Sequence, residues 1–109
     1  MKLKNILENI AAEVYNKKNI KIKYTDVNQT DTINIVSPLN DLFNGTLYMK
    51  YPQIRRHLKM VADQIQYLDG QTKKIFNINP SGWDVYIDLP NRNITIKSDR
   101  GQIIKQIRI

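Results

Sequence analysis

The chain has 109 residues and 12.8 kDa, the size of one domain over residues 1–109, and its 41 % apolar content is too high for a disordered tail. It contains no cysteine, which rules out disulfide scaffolds, Cys-ligated zinc and thiol chemistry. Seventeen Lys and Arg against ten Asp and Glu give +7 and an isoelectric point near 9.7, which points to a polyanionic partner. Because 12 Lys, 12 Asn and 17 Ile are also what AT-rich codons encode, the five arginines are the cleaner charge signal.

Leu3, Ile6, Leu7, Ile10, Ala11 and Val14 recur at spacings of three and four, which predicts an amphipathic helix. Asn5, Glu8, Asn9 and Glu13 interrupt its apolar stretch, so no secretory segment and no membrane span are expected, and the expected location is the cytoplasm. Residues 20–24 alternate Ile, Lys, Ile, Lys, Tyr, a half-buried strand with Lys21 and Lys23 facing water. The polar residues 26–31 predict a turn, and residues 32–36 the returning strand.

Ser37 and Pro38 predict a short helix with a serine cap and proline in its first turn, stopped by Asn44 and Gly45. Residues 46–50 read as a brief strand. Ile54, Leu58, Val61, Ile65 and Leu68 then place a second long helix over residues 51–68, ended by Asp69 and Gly70. Everything after Gln71 reads as sheet, with strands at 72–78, 83–89, 93–98 and 102–109. A four-residue loop at 90–93 pairs Leu89 with Ile94, Ile87 with Ile96, Asp88 with Thr95 and Tyr86 with Lys97. The fold expected is therefore α+β: two main helices and one short helix packed on an antiparallel sheet.

Catalysis has little to draw on, so no enzyme, metal or cofactor is expected. His57 is the only histidine, and it reads as a solvated helix residue or a phosphate contact. Asp84 and Asp88 share a strand face, but four residues of strand hold them roughly 13 Å apart, beyond the roughly 5–9.5 Å of paired glycosidase carboxylates. Trp83 shares parity with Val85, Ile87 and Leu89 and reads as core, whereas Tyr86 has the parity for base stacking.

The most informative cluster surrounds Pro52. With Pro52 as first helical residue, Tyr51 cannot cap, and the amides of Gln53, Ile54 and Arg55 lack a local acceptor. Helix starts favour acidic residues, yet this one carries Arg55, Arg56 and Lys59, with Lys50 just upstream. Free amides, a positive dipole and two arginines make a phosphate site. The same residues also fit a solvated basic face, or ion pairs with residues 26–45, which hold three acidic residues and no basic one. Further nucleic-acid contacts are expected from Lys73 and Lys74 where the sheet begins, from Asn91, Arg92 and Asn93 at one hairpin tip, and from Arg100 at another. Taken alone, Asn91 to Asn93 also suit an ordinary polar turn.

The order of short helix, connection, longer basic helix and hairpin with a basic tip resembles the winged helix-turn-helix family. The matching parts are residues 38–43, 51–68 and 83–98, with the wing tip at 90–93. The resemblance implies a recognition helix in the major groove of double-stranded DNA and a wing on the backbone or minor groove. An extra hairpin after the first helix and a four-stranded sheet depart from the family pattern. The leading expectation is a small DNA-binding accessory protein of a plasmid, phage or other mobile element, with single-stranded nucleic acid as a further ligand. The alternative is a protein-binding inhibitor or adaptor acting through its C-terminal strand. Because Ile103, Ile104, Ile107 and Ile109 cannot share one face, Ile104 is expected to be exposed and covered by a homodimer through residues 102–109. A bulge near Arg100 and Gly101 that buries every isoleucine is the competing expectation.

Overall fold

The computed structural model describes residues 18–76 and 80–109. The helix predicted over residues 3–14 lies outside them. Strands β1 (Asn19–Thr25) and β2 (Thr32–Pro38) form the expected hairpin, with Ile20, Ile22 and Ile35 buried and Lys21 and Lys23 exposed. Asp26 closes its loop: the amide and hydroxyl of Thr30 donate to its carboxylate at 2.8 and 2.7 Å, and the Asp31 amide donates at 3.2 Å.

Three helices follow: α1 (Leu39–Phe43), α2 (Thr46–Lys50) and, after a 3-10 turn at Pro52–Ile54, α3 (Arg55–Phe76). Ser37 does not cap α1, because β2 runs on through Pro38, which occupies the cap position itself. The Ser37 hydroxyl instead donates to Asp41 Oδ2 at 3.0 Å. Residues 46–50 form a helix rather than a strand. Gly45, at φ 88°, turns the chain through the left-handed region, and Asn44 Oδ1 accepts from the Thr46 amide (3.0 Å) and hydroxyl (2.7 Å). That start lets Leu47 reach the core.

The second long helix does not stop at Gly70 but continues to Phe76, so no strand forms over residues 72–76. A glycine inside a helix costs about 1 kcal/mol against alanine, less than restarting the chain in another structure when each added residue gains a backbone hydrogen bond. The predicted apolar stripe holds, with Ile54, Leu58, Val61, Ile65 and Leu68 all buried.

Strands β3 (Gly82–Asp88), β4 (Asn93–Ser98) and β5 (Ile103–Arg108) complete a five-stranded sheet in the order β2-β1-β3-β4-β5. The architecture is α+β, as expected, but the sheet is mixed: β1 and β3 pair in parallel, Ile22 beside Val85. The α1–α3 connection brings the chain back to the end of the sheet where β1 starts, so β3 retraces the direction of β1. The helices cover one face, where Trp83, Val85, Ile87, Ile94 and Ile96 join the core. Among the described residues no helix is long and apolar enough to cross a membrane.

The β3–β4 hairpin keeps the predicted faces but slides by two residues. Ile87 pairs with Ile94, Val85 with Ile96 and Tyr86 with Thr95. Leu89 to Arg92 form the loop, because the Arg92 amide donates to the Leu89 carbonyl (3.0 Å) and Arg92 takes a left-handed φ of 52°. A slide of two preserves side-chain parity, so alternation alone cannot detect it. In β5 a register shift opposite Ile96 and Lys97 leaves Ile104 as an extra residue. Ile104 is consequently buried, at 8 % exposure, and Ile103 is the exposed one at 51 %. The expectation of an exposed Ile104 is overturned; the bulge lies at Ile104 rather than at Arg100 and Gly101, and it does not bury every isoleucine.

Candidate nucleic-acid interface

The start of α3 is built as its sequence suggests, with one correction. Tyr51 provides no side-chain cap and the first turn of α3 carries no acidic residue. The 3-10 turn, however, uses two of the three amides expected to be free. The Ile54 amide donates to the Tyr51 carbonyl (3.2 Å), and the Arg55 amide donates to the Pro52 carbonyl. Proline fixes the φ that lets the chain tighten into this turn. An anion at this helix start therefore meets side chains more than backbone.

Those side chains divide. The Arg55 guanidinium lies 5.8 Å from the centre of the Tyr48 ring, a cation–π contact that holds it along α2. Burial raises the Tyr48 phenol above its ordinary pKa, helped by Asp63 and opposed by Arg55. Arg56 and Lys59 are exposed, and among the described residues neither has an ion-pair partner. Ion pairing with the acidic segment thus does not account for Arg56. Lys50, also exposed, ends α2, where a cation suits the negative end of the helix.

His57 is half-buried beside Tyr24. Burial pushes its imidazole pKa down, and Arg56 adds to the effect by disfavouring a second positive charge. The Tyr24 phenol is raised by burial and then by Asp26 and Asp31. His57 lines a notch with Val27, Leu89, Pro90, Arg92 and Ile109. The notch joins the α3 start to the β3–β4 turn, which the sequence separates widely.

At that turn the three candidate side chains have different roles. Asn91 is engaged, its Nδ2 donating to Asp88 Oδ2 at 2.7 Å and its amide to Oδ1 at 3.4 Å. Asn93 is the first residue of β4, paired with Asp88 and Arg108, and its Oδ1 is buried without a hydrogen-bond partner. Arg92 alone projects as an exposed cation.

The other candidates sit elsewhere. Lys73 and Lys74 occupy the last turns of α3, not the start of a strand, and lie about 27 Å along the helix axis from Arg55. Arg100 is in the β4–β5 turn beside Gly82, whose carbonyl accepts from the Asp99 amide, at the end of the sheet opposite Arg92. One set, Lys50, Arg55, Arg56, Lys59 and Arg92, therefore gathers at one end, and Lys73, Lys74 and Arg100 at the other.

The sheet face away from α1–α3 carries further cations. Lys21, Asp84 and Lys97 are cross-strand neighbours there, followed by Lys23, Tyr86 and Thr95 in the next row. Lys97 Nζ sits 5.2 Å from the Tyr86 ring centre. Period-two alternation was the signal for these positions. Asp84 and Asp88 share this face, and among the described residues no three metal-ligating side chains cluster. No protein-family model, curated protein or solved structure matches this chain.

Proposed function

We propose that this protein binds nucleic acid through its phosphates, as a small non-enzymatic accessory protein of a mobile element acting on double-stranded DNA in the cytoplasm. The observation that carries this reading is a notch that joins the basic start of α3 to the β3–β4 turn. His57, next in sequence to the exposed Arg56, lines it from the helix and Arg92 lines it from the sheet, and among the described residues neither arginine has an ion-pair partner. Lys59 lies one turn further along α3 and extends the basic surface. Phosphate contacts of this kind position a protein on a duplex without reading sequence. In the winged-helix reading, α3 lies toward the major groove and residues 89–92 form the wing tip. The small size, the Lys-, Asn- and Ile-rich composition and the +7 charge support an accessory protein of a plasmid or phage.

The decisive experiment is a mobility-shift titration of random duplex and single-stranded DNA at two salt concentrations. Binding that weakens steeply with salt and disappears in a folded Arg56→Glu, Arg92→Glu double variant supports the reading. Undiminished binding by that variant, or no binding by the unaltered protein at low salt, refutes it.

A further inference from the structure

The two edges of the sheet are defended differently. On β5 the bulge at Ile104 breaks the ladder, and Lys105 and Arg108 place charge along the strand. Such features discourage pairing with another strand. Strand β2 has neither: its seven residues, TINIVSP, carry no charge and pair with β1 in continuous register.

Which backbone groups face out from β2 follows from its two closing hydrogen bonds. At the loop end the Asp26 amide donates to the Asp31 carbonyl (3.1 Å); at the other end the Leu39 amide donates to the Lys18 carbonyl (2.8 Å). Both belong to the register that pairs Ile22 with Ile35, so the residues of β2 bonded to β1 are Ile33, Ile35 and Ser37. The amides and carbonyls of Thr32, Asn34 and Val36 therefore point away from β1, at regular ladder spacing. Pro38, which has no amide to offer, falls on the same outward parity. The Val36 side chain is 73 % exposed beside this open ladder.

We infer that β2 is the association edge of this protein and that its occupant is β2 of a second copy, paired antiparallel about a two-fold at Asn34. That register is self-complementary. It sets Asn34 opposite Asn34 of the second copy and Thr32 opposite Val36, matching every outward group with another outward group. On the helix-covered face it brings half-buried Ile33 against Ile35 of the second copy, extending the core across the seam. The nearest cation, Lys23, is the β1 neighbour of Asn34, so the two Lys23 side chains lie three strand spacings apart. That is about 14 Å, beyond the roughly 10 Å over which charges act at 0.1 M salt. The bulge also opposes a β2–β5 chain, because the irregular β5 offers β2 no continuous ladder.

Sedimentation of the full chain without nucleic acid, from low to high micromolar concentration, tests the inference independently of DNA binding. The expected species is twice 12.8 kDa at the upper end. Asn34→Lys, which sets two lysines directly opposite each other, should raise the dissociation constant about tenfold or more. Val36→Pro removes an outward amide without touching the β1 ladder and should have the same effect. Hydrogen exchange of the unaltered protein adds a reading free of folding artefacts: the Asn34 and Val36 amides should slow as concentration rises. A 12.8 kDa species throughout, a dimer that survives both variants, a dimer abolished by Gln106→Pro on β5, or exchange at Asn34 and Val36 that ignores concentration overturns the inference.

Discussion

The ring of Tyr24, near the end of β1, lies 6.1 Å from the imidazole of His57 and is tilted 50° to it. Through this contact the β1–β2 hairpin and the start of α3 meet, and the notch reaching Arg92 opens beside it. Burial there, and then the neighbouring Arg56 charge, push the imidazole pKa below its ordinary value.

Stability should therefore depend on pH through His57. A histidine whose folded pKa lies below its unfolded value of about 6.5 binds fewer protons when folded, so its contribution is present above that value and is lost as pH falls through the folded pKa. The thermal midpoint should decline as pH drops below about 6.5, and His57→Gln should remove that decline. Asp26, lowered by the Thr30 hydroxyl first, contributes only to a separate loss near the carboxylate range. Melting curves across this window check the assignment; an unchanged slope in the variant contradicts it.

Arg92 should act on DNA as one cation. Arg92→Ala is expected to shrink the slope of log affinity against log salt by about one unit and to leave melting unchanged. Its exposed side chain has no ion-pair partner among the described residues, so its removal leaves nothing buried and unpaired. Arg55→Ala should weaken DNA binding less than Arg56→Ala, because the Tyr48 ring holds Arg55. Equal losses in the two variants would contradict the division between them.

Two glycines resist an added side chain for different reasons. A Cβ at Gly82 meets the Asn19 carbonyl oxygen at 2.8 Å, where the parallel strands β1 and β3 begin. Backbone cannot swing aside as a side chain can, so Gly82→Ala should cost about 1–3 kcal/mol. A Cβ at Gly101 meets nothing within 4 Å, and only the φ of 87° resists it. Gly101→Asn should therefore cost less than Gly101→Val, since asparagine tolerates the left-handed region. Urea denaturation orders the three variants.

The bulge in β5 reverses the expected behaviour of two adjacent isoleucines. Ile104→Lys should destabilise the monomer by about 2 kcal/mol or more, because it places an ammonium group where 8 % of the residue is exposed. Ile103→Lys should fold normally, since Ile103 is 51 % exposed on the open face. Equal midpoints for the two variants would mean that the bulge is misplaced.

Periodicity was sufficient wherever one residue type met one environment. The buried stripe of α3, the core position of Trp83 and the water-facing lysines of β1 all follow from spacing, because a helix or strand with one wet face must sort its side chains by period. The absence of an acidic residue or cap at the α3 start was likewise visible in the chain itself. Tertiary structure decided what periodicity leaves degenerate. A two-residue slide of β4 preserves every face, so the β3–β4 register waited on the turn that Arg92 closes. Gly70 signalled a helix end, and the gain from continuing an existing helix outweighed it. Residues 46–50 have strand-like composition, and the left-handed Gly45 with the Asn44 carboxamide made them helical. The parallel pairing of β1 with β3 needed the whole α1–α3 crossover, and that same crossover is what carries Arg56 to the end of the sheet where Arg92 stands. Local sequence sets which side of an element is wet; only packing sets which elements meet.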